Sequence, residues 1–445
     1  MLKKNSTAGA EVVETEDTRS LEQKEADYEA FVWANLRPNY IANYAQGMLG
    51  MTGFRILNAP TFLPAYIFQV SGSSTMVGLA LALQQVGQIV SPIVGAGLIE
   101  HRRKVLPLAV LIGGLGRLMV LGIALSAWFL KGHLLVAGVL TFITLFGLFM
   151  GAQGVVFQLL ISKVIPISRR GRLQAWRNTT GGIVAAGLAY LAGRYLIGGN
   201  AFGNGYATTF MLSVVLTSIG LFIFQALLRE PETVTVRERI PLRQRLAEFP
   251  VLLTANRSYM YFVIMQCLTA AGRMAIPFYI LYASSSIKMT GPALGALSLA
   301  YLGSDTVSNV IWGYLGDKKG FRIVTVLALG CWAAATIGLL AAHGMPLMLV
   351  AFCGLGASQA GYMMSAQTMI LEFGSRTELP MRMALSSTAQ GLFGAMAPLA
   401  GGLISSHFGY PTVFCISAAV LMAGLLIMVS RVPEPRLARI ANLAA

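Results

Sequence analysis

The sequence predicts an all-α integral membrane protein of twelve transmembrane helices in two six-helix bundles, related by a pseudo-twofold axis along the membrane normal. Three observations predict it. Of 445 residues, 56% are hydrophobic and 11% are charged, whereas a soluble domain carries about 25% charged residues. The apolar residues collect in twelve runs, each near the roughly 20 residues that a membrane-crossing helix needs. The second six runs echo the first six at a shift of 217 residues, Gly78 matching Gly295, Ser91 matching Ser308 and Glu100 matching Asp317.

The runs lie at 41–70, 75–99, 105–130, 133–162, 173–198 and 207–229, then at 257–284, 291–316, 322–343, 346–371, 382–406 and 410–430. Each is apolar on nearly all faces, which argues for helices, because membrane strands alternate over about ten residues. The stretch 230–256 is the long polar interior segment and divides the spans six and six. The expected organisation is an acidic tail over 1–36, a bundle over 37–229, a linker over 230–256 with a surface helix near 241–249, a bundle over 257–431, and a tail over 432–445.

Orientation follows from Lys and Arg. One set of loops carries Arg102, Arg103, Lys104, Lys163, Arg169, Arg170, Arg172, Arg229, Arg237, Lys318, Lys319 and Arg322, while the opposite loops have Lys131 and Lys288, with Arg194 near a span end. Positive loops stay in the cytoplasm, so both termini are expected there, in a multi-pass protein of the cell membrane. The net charge of +15 does not describe a nucleic-acid face: residues 1–36 sum to −4, and the excess falls in short clusters between apolar runs. Cys267, Cys331, Cys353 and Cys415 lie inside apolar runs, and the four histidines stand singly. No metal or cofactor is expected from such spacing. Paired carboxylates, nucleophile–base spacings and a phosphate-binding loop of the Gly-x-x-x-x-Gly-Lys type are not visible, which argues against an enzyme or a nucleotide-driven pump.

The segment Gly313-Tyr-Leu-Gly-Asp317-Lys318-Lys319-Gly320-Phe-Arg322 follows the eighth run. It resembles the signature loop of the major facilitator superfamily, Gly-x-x-x-Asp-Arg-x-Gly-x-Arg, with Lys318 as a conservative departure. The copy in the first half is degraded, with Glu100 in place of the Asp. The resemblance in layout covers nearly all the chain after residue 37. It implies a monomeric secondary transporter that works by alternating access. The loop also has a physical reading: an acid at a helix end meets the positively polarised N-terminus of a neighbouring helix, and the bases that follow face anionic headgroups. Gly313, Asp317, Lys318, Gly320, Arg322 and Glu100 are therefore candidate gating residues.

Ionisable groups inside the membrane cost at least about 2.5–3.5 kcal/mol each and are functional candidates by default. Asp305 stands twelve residues before Asp317, about 18 Å along the helix, which places it near the midplane. Arg55, Arg117 and Arg273 are similarly deep. Three arginines against one carboxylate favour an anion, which a guanidinium grips with two parallel hydrogen bonds. Arg55 and Arg273 occupy equivalent places in the two halves and are expected to hold one anionic group from both sides of a central cavity. That placement is similar to the organophosphate/phosphate antiporters of the superfamily, although the surrounding Gly-Phe-Arg55-Ile-Leu-Asn58-Ala-Pro is not.

Asn58 shares a helical face with Arg55, Gln266 with Arg273, and Gln84 with Gln88. Arg55, Asn58, Gln88, Gln266, Arg273 and Arg117 form the candidate binding set; Gln84 and Gln88 serve equally well as interhelical hydrogen bonds. Asp305 is either a proton-coupling carboxylate or the fixed partner of an arginine. The expected function is transport of a small organic anion with proton coupling or anion exchange. Export of amphipathic compounds by proton antiport is the alternative, although the fifth run, Gly181 to Gly193, lacks the Gly-Pro pair usual in the drug/proton antiporters of the superfamily. A transport-dead sensor signalling through the acidic tail is a third reading.

Overall fold

A computed structural model describes residues 21–99, 104–232, 253, 256–373 and 379–434. Every regular element among these residues is a helix. In the first bundle, span 1 comprises Leu36–Asn58 and Phe62–Ser71, span 2 is Ser74–Ile99, span 3 Leu106–Phe129 and span 4 Gly132–Val164. Span 5 is Ile167–Leu191, prolonged by a π turn over Ala192–Ile197, and span 6 is Gly205–Leu227.

In the second bundle, span 7 runs through Arg257–Gly272, a 3-10 stretch over Arg273–Phe278, and Tyr279–Ser286. Spans 8, 9 and 10 are Gly291–Lys319, Phe321–Leu340 and Met345–Ile370. Spans 11 and 12 lie within Leu379–Arg431 and are separated only at Gly409, whose φ of 81° breaks the helix. Eight described helices are individually long and apolar enough to cross a membrane, Met381–Arg431 holding the last two spans.

The expected spans are thus present, and the even number puts both described ends on one side, here termed the terminal side. A helix over Leu21–Ala34 precedes span 1 on that side. It buries Val32, and the Tyr28 hydroxyl donates to the carbonyl of Lys163 at 2.9 Å. Residues 1–20, most of the linker with its expected surface helix, residues 435–445, and the loop bearing Glu100, Arg102 and Arg103 lie outside the described residues.

Lipid offers no hydrophobic drive between helices, so packing relies on small residues and internal hydrogen bonds. Spans 2 and 4 show the first: a Cβ on Gly147 would lie 2.1 Å from the carbonyl oxygen of Gln84. Trp332 shows the second, since its indole N–H donates to the Tyr279 hydroxyl at 3.2 Å, and that hydroxyl lies 3.0 Å from Thr336 Oγ1.

A glutamate after the last span of each bundle braces the start of that bundle's third helix. Glu230 accepts from the backbone N–H groups of Val105 and Leu106 at 2.8 and 2.7 Å, and from Lys163 Nζ at 2.7 Å. Glu434 accepts from the N–H of Arg322 at 3.3 Å. Both carboxylates meet the unsatisfied donors and positive pole of a helix N-terminus. The Glu230→Gln substitution keeps an acceptor for the backbone but removes the charge facing Lys163. It is expected to cost about 2 kcal/mol, the worth of a charged hydrogen bond, read as a lower thermal unfolding temperature in detergent with binding unchanged.

Candidate functional site

Near the midplane the bundles enclose a cavity of about 560 Å³. Two broken helices shape it. Span 1 stops at Asn58 because Pro60 disfavours helical backbone at the residue before it, and Ala59 accordingly sits at φ −56°, ψ 139°. Span 7 tightens into the 3-10 stretch Arg273–Phe278, which contains Pro277. Arg55 falls in the last turn before the first break, and Arg273 opens the second. The cationic side chain at a helix C-terminus is favoured by the peptide dipoles there.

The cavity brings together Arg55, Asn58, Gln88, Arg273 and Asp305 from the expected residues. Gln84, Gln85, Tyr301 and Gln359 complete its polar wall, and Phe54, Leu57, Met150, Ile276 and Pro398 contribute apolar surface. Arg55 Nη1 lies 3.1 Å from Asp305 Oδ2, and each side chain is 22% exposed. The same nitrogen donates to Thr306 Oγ1 at 3.0 Å. This pair joins the two bundles, with Arg55 in span 1 and Asp305 in span 8. Asn309 donates to the Asp305 carbonyl at 2.6 Å. Asn58 is held by Gln84, whose Nε2 donates to Asn58 Oδ1 at 2.7 Å, and the Tyr301 hydroxyl donates to Gln359. Arg273 makes no hydrogen bond or ion pair among the described residues, so its guanidinium donors remain available to a ligand.

Arg117 and Gln266 are placed elsewhere. Arg117 is 4% exposed and donates to the carbonyls of Thr217 and Gly113 at 2.7 and 2.6 Å. Its guanidinium also lies 5.6 Å from the Phe54 ring centroid. It therefore fastens span 3 to span 6 and to the back of span 1. Gln266 is fully buried and accepts from Ser386, which ties span 7 to span 11. Gln266 lies in the α-helical part of span 7, ahead of the 3-10 stretch that opens at Arg273, and its side chain is taken up by span 11 and not by the cavity. Gln85 and Gln359 were not singled out in the sequence; a carboxamide interrupting an apolar run is the signal that marks both.

The loop Gly313–Arg322 lies at the terminal side. Gly320 takes φ 89° and joins spans 8 and 9, and the Arg322 guanidinium donates to the carbonyls of Val432 and Val429 at 2.7 and 2.8 Å. Lys318 Nζ sits 4.7 Å from the Tyr314 ring centroid. Asp317 is exposed and makes no hydrogen bond or ion pair among the described residues. Gly313 faces Met364 in span 10, whose sulfur lies 3.9 Å from where a Cβ would stand.

Among the described residues, contacts between the bundles run from the midplane to the side opposite the termini. Span 5 meets span 8 where Gly193 and Gly198 abut Gly295 and Gly291, and span 2 meets span 11 where Gly78 abuts Pro398. Ser298 Oγ donates to Thr61 Oγ1 at 2.8 Å, and Ser74 Oγ lies 2.9 Å from the Tyr410 hydroxyl. The far side is closed by this seam.

A family model described as Major Facilitator Superfamily matches residues 47–268 and 261–445. The chain is 32% identical over 162 residues to the multidrug resistance protein MdtG of Escherichia fergusonii, a match covering 34% of this chain and 38% of that protein. It is also 32% identical over 167 residues to MdtG of Salmonella choleraesuis, covering 36% and 40%. Among solved structures, a D-xylose-proton symporter superposes with a TM-score of 0.69 at 14% identity, covering 90% of this chain and 99% of that one. The nucleoside transporter NupG superposes with a TM-score of 0.64 at 14% identity, covering 88% and 98%.

Proposed function

The chain belongs to the Major Facilitator Superfamily, a family of membrane transporters, and on that premise we propose that it carries a small organic anion by alternating access. The observation that carries this reading is Arg273, a cation at mid-membrane depth with no internal acceptor among the described residues, in a cavity walled by carboxamides. Keeping such a charge away from water is costly unless it is paired, and an anionic substrate supplies the pair. Arg55, Asn58, Gln84, Gln88, Gln359 and Tyr301 complete the binding set, while Arg117 and Gln266 act as helix fasteners. The Arg55–Asp305 pair is the cross-bundle link that a coupling proton or an exchanged anion opens.

The basic loops place both termini in the cytoplasm of a cell-membrane protein. In that orientation the cavity is shut from outside, and the exposed Asp317 belongs to a cytoplasmic gate that is released. Closing that gate brings Asp317 toward a neighbouring helix N-terminus, with Glu100 as its first-half counterpart. A second reading, export of amphipathic compounds by proton antiport, draws on the partial likeness to MdtG and on the apolar part of the cavity wall.

A thermal-shift panel separates them, because a ligand that binds only the folded state raises its unfolding temperature. Carboxylates, phosphates, sulfonates, cationic drugs and neutral sugars are compared on the wild type and on Arg55→Ala/Arg273→Ala. Stabilisation by anions, lost in the double variant, is expected. Stabilisation by cationic or neutral amphiphiles that survives the double substitution supports export instead.

A further inference from the structure

Building on the anion reading, we propose that the site takes a monoanion with hydrogen-bonding groups along its body, and that Asp305 sets this valence. Among the described residues, Arg55, Arg273 and Asp305 are the charged side chains that line the cavity. Arg55 and Asp305 neutralise each other at 3.1 Å. Arg273 is left over, so the wall carries a net charge of +1.

When the bundles close around a ligand, water leaves and every residual charge becomes more costly. A monoanion on Arg273 brings the occupied site to neutrality. A dianion leaves one negative charge in excess and faces the Asp305 carboxylate. A neutral ligand leaves Arg273 unpaired. Asp305 thereby determines specificity without touching the substrate: it occupies the one arginine that a second anionic group would need.

The rest of the wall suits the body of such a ligand. Gln84, Gln85, Gln88, Gln359 and Asn58 offer carboxamides that both donate and accept, which match hydroxyl, carbonyl and amide groups. The cavity of about 560 Å³ falls in the range usual for small-molecule sites, which suits a metabolite-sized solute.

Charge-matched series of constant shape test this. Succinate, succinamate and succinamide carry two, one and no negative charges on one skeleton, and phthalate, phthalamate and phthalamide repeat the series on an aromatic one. Half-saturating concentrations are read from thermal-shift titrations of the full-length protein at neutral pH and fixed ionic strength. In the wild type the monoamide is expected to bind at least about tenfold more tightly than the dianion or the diamide. Asp305→Asn raises the wall to +2, and the order is expected to reverse in favour of the dianion. Arg273→Gln lowers it to zero, and preference is expected to pass to the diamide; this arm carries the test if Asp305→Asn does not purify folded. If anions stabilise the wild type but the dianion binds first, or the order does not move with either substitution, the valence inference is overturned while anion binding stands. If no anion in either series stabilises the wild type, the anion reading fails and this inference with it.

Discussion

Gly193→Val is expected to abolish transport while leaving a folded, membrane-inserted protein. A Cβ at this position would lie 2.4 Å from Gly295 Cα, 2.5 Å from its nitrogen and 2.7 Å from the Gly291 oxygen. These are backbone atoms of the other bundle, and no rotamer change relieves the overlap. Gly78 repeats the arrangement across the second seam, with the Pro398 oxygen 2.3 Å from the added carbon. Each bundle keeps its own packing, so the substitution acts on closure and not on folding. A state that held 99% of molecules falls to 1% when it is disfavoured by about 5.5 kcal/mol, and an overlap this deep against backbone reaches that range. Labelling reports it: in a Gln84→Cys background, an impermeant thiol reagent added from the side opposite the termini should react faster when Gly193→Val is present. Full transport activity in Gly193→Val would show that the seam does not need this approach.

Arg273→Ala is the second large effect. Two charge-assisted hydrogen bonds to an anion are each worth about 1.5–3 kcal/mol, so the variant should bind and carry its substrate at least about 100-fold more weakly. Arg117→Ala provides the contrast. It removes the hydrogen bonds that Arg117 adds to the Thr217 and Gly113 carbonyls, empties the buried space between spans 3 and 6, and loosens the support behind Phe54. Its expected signature is a lower unfolding temperature with KM little changed, whereas Arg273→Ala should raise KM and leave unfolding nearly as it was. Equal KM effects from both would mean that depth in the membrane, and not access to the cavity, decides which arginine matters.

Much of this was legible in the residues. Twelve apolar runs, a dividing polar segment and the repeat gave the span order, because lipid tolerates few alternatives to a full-length helix. The equivalence of Arg55 and Arg273 was legible too, since the repeat places them at the same point of spans 1 and 7. Three things were not. Span 1 begins at Leu36 and not near 41: Asn39 and Asn43 read as polar in sequence, yet both are fully buried, with their amide groups donating to the Arg229 and Asn39 carbonyls. Arg117 and Gln266 share the depth of the cavity residues but face neighbouring helices, Arg117 the carbonyls of Thr217 and Gly113 and Gln266 the Ser386 side chain, a matter of rotation that composition does not encode. The braces by Glu230 and Glu434 pair residues more than a hundred positions apart, and their signal was local: a Glu-Pro pair after the last span of each half. Asp305 stands 3.1 Å from Arg55 across the two bundles, a pairing that an apolar run alone does not reveal and that is compatible with either of its expected roles.

The most direct measurement is counterflow in proteoliposomes. Vesicles holding purified protein are loaded with the anion that stabilises it best in the thermal-shift panel, and entry of the same labelled anion is followed without any imposed gradient. Transient accumulation of label is expected in the wild type, with loss in Arg273→Ala and persistence in Arg117→Ala. Accumulation that survives Arg273→Ala, or counterflow of a cationic amphiphile in place of the anion, would contradict it.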